Sequence, residues 1–162
     1  PRDAPMLNPG SLRLTEPVFW AAAEFKGNEV IYHGPPFRAL RSICRAGRAM
    51  LGNLVAPDPH ELFGDQRSGT PLTPMAVLDS CLFTAGTLLW MEEPNQVGIP
   101  MGIETLQINR TISQNESLLV RTEVVHKSPG LAKLDFDVWD ASGLAVLSVR
   151  GYQCALVRGA MS

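Results

Sequence analysis

From Ser68 to Met91 the chain carries one charged side chain, Asp79, set in the otherwise apolar or small run Pro74-Met-Ala-Val-Leu-Asp-Ser-Cys-Leu-Phe-Thr-Ala-Gly-Thr-Leu-Leu-Trp90. Thr73 fits an N-cap, Pro74 fits the first helical position, and Glu92-Glu93-Pro94 supplies a stop, so the pattern predicts a helix. At about 100° per residue, Asp79 shares a face with Met75, Leu82, Phe83, Gly86 and Trp90, while Val77, Cys81 and Leu88 lie opposite. Such a helix is apolar all round, and is therefore either wrapped by protein or spans a membrane, which takes about 20 apolar residues. The run is slightly short for spanning, carries a central carboxylate and has strand-like segments on both sides, which favours a core helix. Trp90 and Met75 are expected to belong to that core.

Four strand candidates follow, at 98–112, 117–125, 132–140 and 145–157. The alternation is clearest where Leu134, Phe136 and Val138 face one way and Lys133, Asp135 and Asp137 the other. Pro129-Gly130 and Asp140-Ala-Ser-Gly143 provide turns. Ahead of the helix, 37–44 and 49–55 read as a hairpin around Arg45-Ala-Gly-Arg48, and 56–73 reads as a long loop with three prolines. Residues 17–25 read as a short helix or irregular chain. Residues 1–10 read as a linker or frayed terminus, 11–158 as one domain, and 159–162 as a tail. Hairpin, long buried helix, then an antiparallel meander define an α+β class of the hotdog type, a curved antiparallel sheet wrapped around a central helix. No internal repeat or low-complexity segment is visible.

A chain of 162 residues, 45% of them hydrophobic, is long enough for one real core. Its net charge of −2, with no Lys/Arg cluster, argues against nucleic acid or an anionic membrane as the main partner and for a small molecule or another protein. Cys44, Cys81 and Cys154 lie far apart without metal-ligand spacing, so they are expected to be buried, reduced thiols of a cytoplasmic protein, and neither metal nor cofactor is implied. Two matches to the glycosylation pattern, at Asn109 and Asn115, have no supporting signal of secretion. A start at Pro1 suggests a segment of something longer.

Three strings in register carry a resemblance: Tyr32-His-Gly-Pro-Pro-Phe37, Leu78-Asp-Ser-Cys-Leu-Phe83 and Ile99-Pro-Met-Gly-Ile-Glu104. Over most of residues 28–158 the chain resembles the C-terminal, second hotdog of polyketide synthase dehydratase domains. That resemblance implies half of a double hotdog, dehydration of a 3-hydroxyacyl chain tethered to an acyl carrier protein, a His of the first hotdog taking the α-proton, and Asp79 helping the hydroxyl leave. The family's HxxxGxxxxP string, which holds that His, is not found in the 162 residues. The base then lies in a first half or on a second copy, or this half works differently.

Independently of the resemblance, a carboxyl in an apolar pocket is favoured in its neutral form and becomes a usable proton donor, whereas a carboxylate early in a helix also simply satisfies the helix N-terminus. Phe83 stands where the family has Gln or His, one turn from Asp79, and offers the carboxyl no hydrogen bond. His33 either hydrogen-bonds a substrate at the channel mouth, with Gly34 and Pro35 fixing the bend, or packs a loop corner. Gly86 gives a bound acyl chain or a facing strand close access. His60 and His126 read as surface residues, and Ser80 lacks a nucleophile-elbow pattern. The expected activity is a dehydratase acting on carrier-bound 3-hydroxyacyl thioesters. The alternatives are a hotdog thioesterase, a product-template or cyclase-like domain, and a non-catalytic half that shapes a tunnel or binds a partner.

Overall fold

A computed structural model of the protein describes residues 39–58 and 74–158. Its elements are β1 (Leu40–Ala46), β2 (Ala49–Val55), α1 (Met75–Glu92), β3 (Gln96–Ile108), β4 (Ser117–Ser128), β5 (Leu131–Asp140) and β6 (Ala145–Arg158). All six strands join one antiparallel sheet in the order β1-β2-β4-β5-β6-β3, and α1 lies across one face of it against β2, β3 and β4. This is the expected α+β arrangement of one long helix on an antiparallel sheet.

The alternation in β5 sets the two faces. Leu134, Phe136 and Val138 are fully buried in the core that α1 also joins, and their cross-strand partners Val124, Thr122 and Val120 on β4 and Tyr152, Val149 and Leu147 on β6 continue the same inner layer. Each large apolar side chain withdrawn there contributes about 1.5–3 kcal/mol. The outer face is built from charge pairs: Arg150 reaches Asp137 at 2.6 Å, and Lys133 pairs with Glu104 across β6. Gly151 interrupts β6 with φ 65 and donates its N–H to Asp135 Oδ1 at 2.8 Å, a backbone conformation that favours glycine. A Cβ at that position would also overlap the Glu104 carboxylate.

Some boundaries differ from the pattern-based expectation. Pro74 is the N-cap rather than the first helical residue, and its carbonyl accepts the Leu78 N–H at 2.9 Å; Thr73 lies outside the described residues. The first hairpin turns on Gly47 and Arg48 alone, because Ala46 already pairs with Ala49. β3 stops at Ile108, where the Asn109 side chain donates to the Ala145 carbonyl at 3.0 Å and Arg110 turns toward Glu116 and Asp140. β4 runs on to Ser128 through an irregularity between Val124 and His126.

Close approach of α1 to the sheet depends on Gly52 of β2. A Cβ there would come 2.9 Å from Leu40 Cδ1 and Val120 Cγ1 and 3.3 Å from Thr84 Oγ1. Gly52→Ala is therefore expected to push the helix off the sheet and to destabilise by about 1–3 kcal/mol, the usual cost of overpacking a filled core. Urea unfolding monitored by circular dichroism measures it, with a lower midpoint at unchanged slope as the expected result.

Candidate active site on the central helix

Helix α1 has two unlike faces. Ala76, Val77, Ser80, Cys81, Thr84, Ala85, Leu88 and Leu89 are buried against the sheet, whereas Met75 and Trp90 on the other side are 49% and 41% exposed. Between those two, Leu78, Asp79, Leu82, Phe83 and Gly86 are half-buried. The facial grouping read from the 3.6-residue period is thus correct, but Met75 and Trp90 do not belong to the core, because the sheet covers only one side of the helix.

The hydroxyls of α1 are satisfied within the helix. Ser80 donates to the Ala76 carbonyl at 2.9 Å, Thr84 to Ser80 at 2.8 Å and Thr87 to Phe83 at 3.0 Å. Ser80, 2% exposed and bonded in this way, is a packing residue and not a nucleophile. The thiols are no better placed for attack. Cys81 and Cys154 are buried as expected, but Cys44 on β1 is only half-buried; burial pushes Cys81 far up and the neighbouring Asp79 charge adds to it, while Cys44 and Cys154 are also raised, chiefly by burial. Tyr152, its ring tilted against Phe136 with centroids 5.5 Å apart, is likewise pushed up by burial and holds its phenolic proton.

Asp79 is the candidate acid of this helix, since the other carboxyl, Glu92, stands at its exposed end beside Lys127. It sits in the second turn, half-buried, with Oδ2 closed off from solvent and with its charge felt by Cys81, two residues on and on the opposite, buried side. Phe83 and Gly86 share its face, so three of the expected site residues are together. His33, Gly34 and Pro35, and with them the mouth expected beside Asp79, lie outside the described residues, as does His60. His126 is exposed at the irregularity in β4, a surface residue as expected. Among the described residues, no group of three His, Cys, Asp or Glu side chains could hold a metal ion.

Ionic clusters around the sheet depend on cross-strand register and have no local sequence signal. Lys127 of β4 reaches Glu93 at 2.7 Å and Glu92 at 3.4 Å, tying the C-terminal end of α1 to the sheet. Arg110 lies between Glu116 and Asp140, 2.7 Å from the latter, at the corner where β3 gives way to β4. Hydrogen bonds from Ser142 and then Arg110 hold the Asp140 carboxyl far below the usual carboxylate range, and the Arg110 hydrogen bond lowers Glu116. Because both folded-state pKa values are depressed, their contribution is present above the unfolded carboxylate range near pH 4–4.5 and is lost as pH falls through the folded values. Thermal melts from pH 7 to pH 2.5 are expected to show a smaller acid-induced fall in Tm for Arg110→Gln than for the parent.

A half-buried carboxyl on an otherwise apolar helix, laid against an antiparallel sheet, defines the class: a hotdog-type fold with a single candidate acid on its central helix. Residues 13–161 match the polyketide synthase dehydratase N-terminal domain family, and the chain belongs to that family. Among solved structures, GphF dehydratase 1 is 19% identical at a TM-score of 0.67, with 94% of this chain covering 53% of that one. The dehydratase domain from the CurJ module of curacin polyketide synthase is 20% identical at a TM-score of 0.59, with 79% of this chain covering 45% of it. A trans-acyltransferase polyketide synthase enoyl-isomerase is 18% identical at a TM-score of 0.61, with 75% of this chain covering 46% of it. The chain spans about half the length of these structures, and they share its hotdog fold.

Proposed function

We propose that this chain is the second hotdog of a polyketide-type dehydratase domain, removing water from 3-hydroxyacyl thioesters carried on the phosphopantetheine arm of an acyl carrier protein in the cytoplasm. The observation that carries the reading is Asp79, the one charged side chain between Ser68 and Met91, half-buried on the side of α1 that the sheet leaves uncovered. Membership in a polyketide synthase dehydratase family supports the dehydratase part of the reading; the family model is that of the N-terminal domain, so assignment to the second hotdog rests on the motif strings alone, beginning with Tyr32-His-Gly-Pro-Pro-Phe37 ahead of the helix.

In this reading a His of the companion half takes the α-proton, and the electron pair of that C–H bond becomes the Cα–Cβ double bond. The Asp79 carboxyl gives its proton to the β-hydroxyl as the C–O bond breaks, and the hydroxyl leaves as water. An enoyl thioester is the product. Phe83 borders the carboxyl on the helix and Gly86 leaves room for the acyl chain, while His33 hydrogen-bonds the substrate at the mouth with Gly34 and Pro35 holding the bend. The thioesterase alternative uses the same carboxylate to activate water against the thioester carbonyl. A product-template or cyclase-like role is favoured over simple dehydration only through Phe83, which replaces the polar neighbour of the family pattern.

Mass spectrometry of a 3-hydroxybutyryl-pantetheine thioester incubated with the complete double-hotdog protein, companion half included, decides between them. Loss of one water with the thioester intact is the expected result. Release of 3-hydroxybutyric acid establishes the thioesterase instead, and an unchanged thioester establishes a non-dehydrating half.

A further inference from the structure

Gly86 sits in the interior of α1, seven residues past Asp79 and six before the end of the helix at Glu92. A glycine there weakens a helix by roughly 1 kcal/mol relative to alanine. At Gly52 and Gly98 glycine is imposed by crowding, since a Cβ would come 2.9 Å from a neighbouring side chain, while Gly102, on the exposed edge strand, is as uncrowded as Gly86 but is not in a helix. At Gly86 a Cβ would meet no described atom within 4 Å. Packing of the described elements therefore does not require the glycine, and neither does backbone geometry, since Gly86 is not among the positive-φ glycines. What it preserves, among the described residues, is open space beside the helix.

That space lies in line with the candidate acid. At about 100° per residue, position 86 falls roughly 20° from the radial direction of Asp79, and Trp90 falls roughly 20° to the other side. Leu82 and Phe83, both half-buried, diverge from the same line by about 60° one way and 40° the other. The four positions make a gutter whose floor is Gly86, whose walls are Leu82 and Phe83, and whose far end is the half-exposed indole of Trp90. Along the helix, no charged residue falls between Asp79 at its head and Glu92. On the other side of Asp79 the line is taken by Met75, which is 49% exposed.

Resting on the dehydratase reading above, we propose that Gly86 is a specificity-determining residue: the alkyl part of the 3-hydroxyacyl chain beyond the β-carbon runs down this gutter, over Gly86 toward Trp90. Seven residues of helix rise about 10 Å. An extended chain advances about 1.2 Å per backbone bond, one third of an extended residue, so the floor is reached about eight bonds past the acid. The site then takes medium and long unbranched chains, which meet Gly86, while a four-carbon chain ends before it. Filling the gutter acts on the long chain through lost apolar contact and direct overlap, and such a difference in a hydrophobic pocket is worth about tenfold or more in kcat/KM.

The experiment compares the intact parent protein with Gly86→Ala and Gly86→Leu, both of which should fold at least as well because alanine and leucine favour helix over glycine. Two readouts are taken: kcat/KM for 3-hydroxydodecanoyl and 3-hydroxybutyryl pantetheine thioesters, and the affinity for unreactive dodecanoyl and butyryl pantetheine amides. The expected result is a long-to-short ratio that falls slightly in Gly86→Ala and about tenfold or more in Gly86→Leu, in both readouts. Dehydration with a long-to-short ratio unmoved by Gly86→Leu overturns the gutter and leaves the dehydratase reading standing. A parent that dehydrates neither substrate overturns that reading, and the amides still decide the gutter: loss of dodecanoyl preference in Gly86→Leu supports it, and equal affinities across the three proteins refute it.

Discussion

Asp79→Asn is expected to lower the rate of dehydration of a 3-hydroxyacyl thioester by about 10² to 10⁴, the usual worth of a positioned general acid. Asparagine keeps the size and hydrogen-bonding reach of the side chain but has no proton to give to the leaving hydroxyl. Because the carboxyl acts as the C–O bond breaks and not on the resting substrate, kcat should fall while KM stays within a few-fold. Phe83→Gln is the companion variant. It places an amide one helical turn from the carboxyl, within reach for a hydrogen bond, and should leave activity equal or raised. Single-turnover assays of both variants check the pair. An Asp79→Asn protein that dehydrates as fast as its parent shows that Asp79 is not the acid, and the non-catalytic reading then takes its place.

How much of this was legible in the chain depends on how local the signal is. The 3.6-residue period placed Asp79, Phe83 and Gly86 on one face of α1, and the buried positions Val77, Cys81 and Leu88 on the other confirm that grouping. The two-residue period of β5 identified its inner residues without error, since Leu134, Phe136 and Val138 are all fully buried. Periodicity reports which residues share a face, but not how much of an element is covered. Met75 and Trp90 are apolar and fit a core, yet the sheet passes on the opposite side of the helix and leaves them half-exposed. Topology was still less local. β3 follows α1 directly in sequence, but pairs with β6 at the far edge of the sheet, and nothing within its thirteen residues specifies that neighbour. The same holds for Lys127 with Glu92 and Glu93, and for Lys133 with Glu104, whose partners are chosen by strand register. His33, Gly34 and Pro35 rest on the resemblance alone, because they lie outside the described residues.

The position of β3 leads to a second large effect. It is an edge strand, and every residue from Ile99 to Ile108 is exposed. Its two halves differ. Pro100 has no N–H to offer a neighbour and the register slips between Pro100 and Gly102, features that discourage strand addition. From Ile103 onward the pairing with β6 is regular, and Ile103, Leu106 and Ile108 lie opposite Tyr152, Val149 and Leu147. They extend the inner apolar layer to the edge, where they are 38%, 37% and 36% exposed. A long edge with an apolar layer beside it invites pairing, and the solved structures of the same fold are about twice as long as this chain. The expected arrangement is therefore a companion hotdog, a first half or a second copy, seated along Ile103–Ile108. Sedimentation of the 162-residue chain should show a concentration-dependent dimer. In the double variant Ile103→Lys, Leu106→Lys, each lysine removes about 1 kcal/mol of apolar burial and adds the cost of desolvating a charge, so the dimer should weaken by about 100-fold or more. Ile99→Lys, on the interrupted half, should leave it within a few-fold. A parent chain that stays monomeric at high concentration, or a dimer that Ile99→Lys weakens more than the double variant does, would place the companion surface elsewhere.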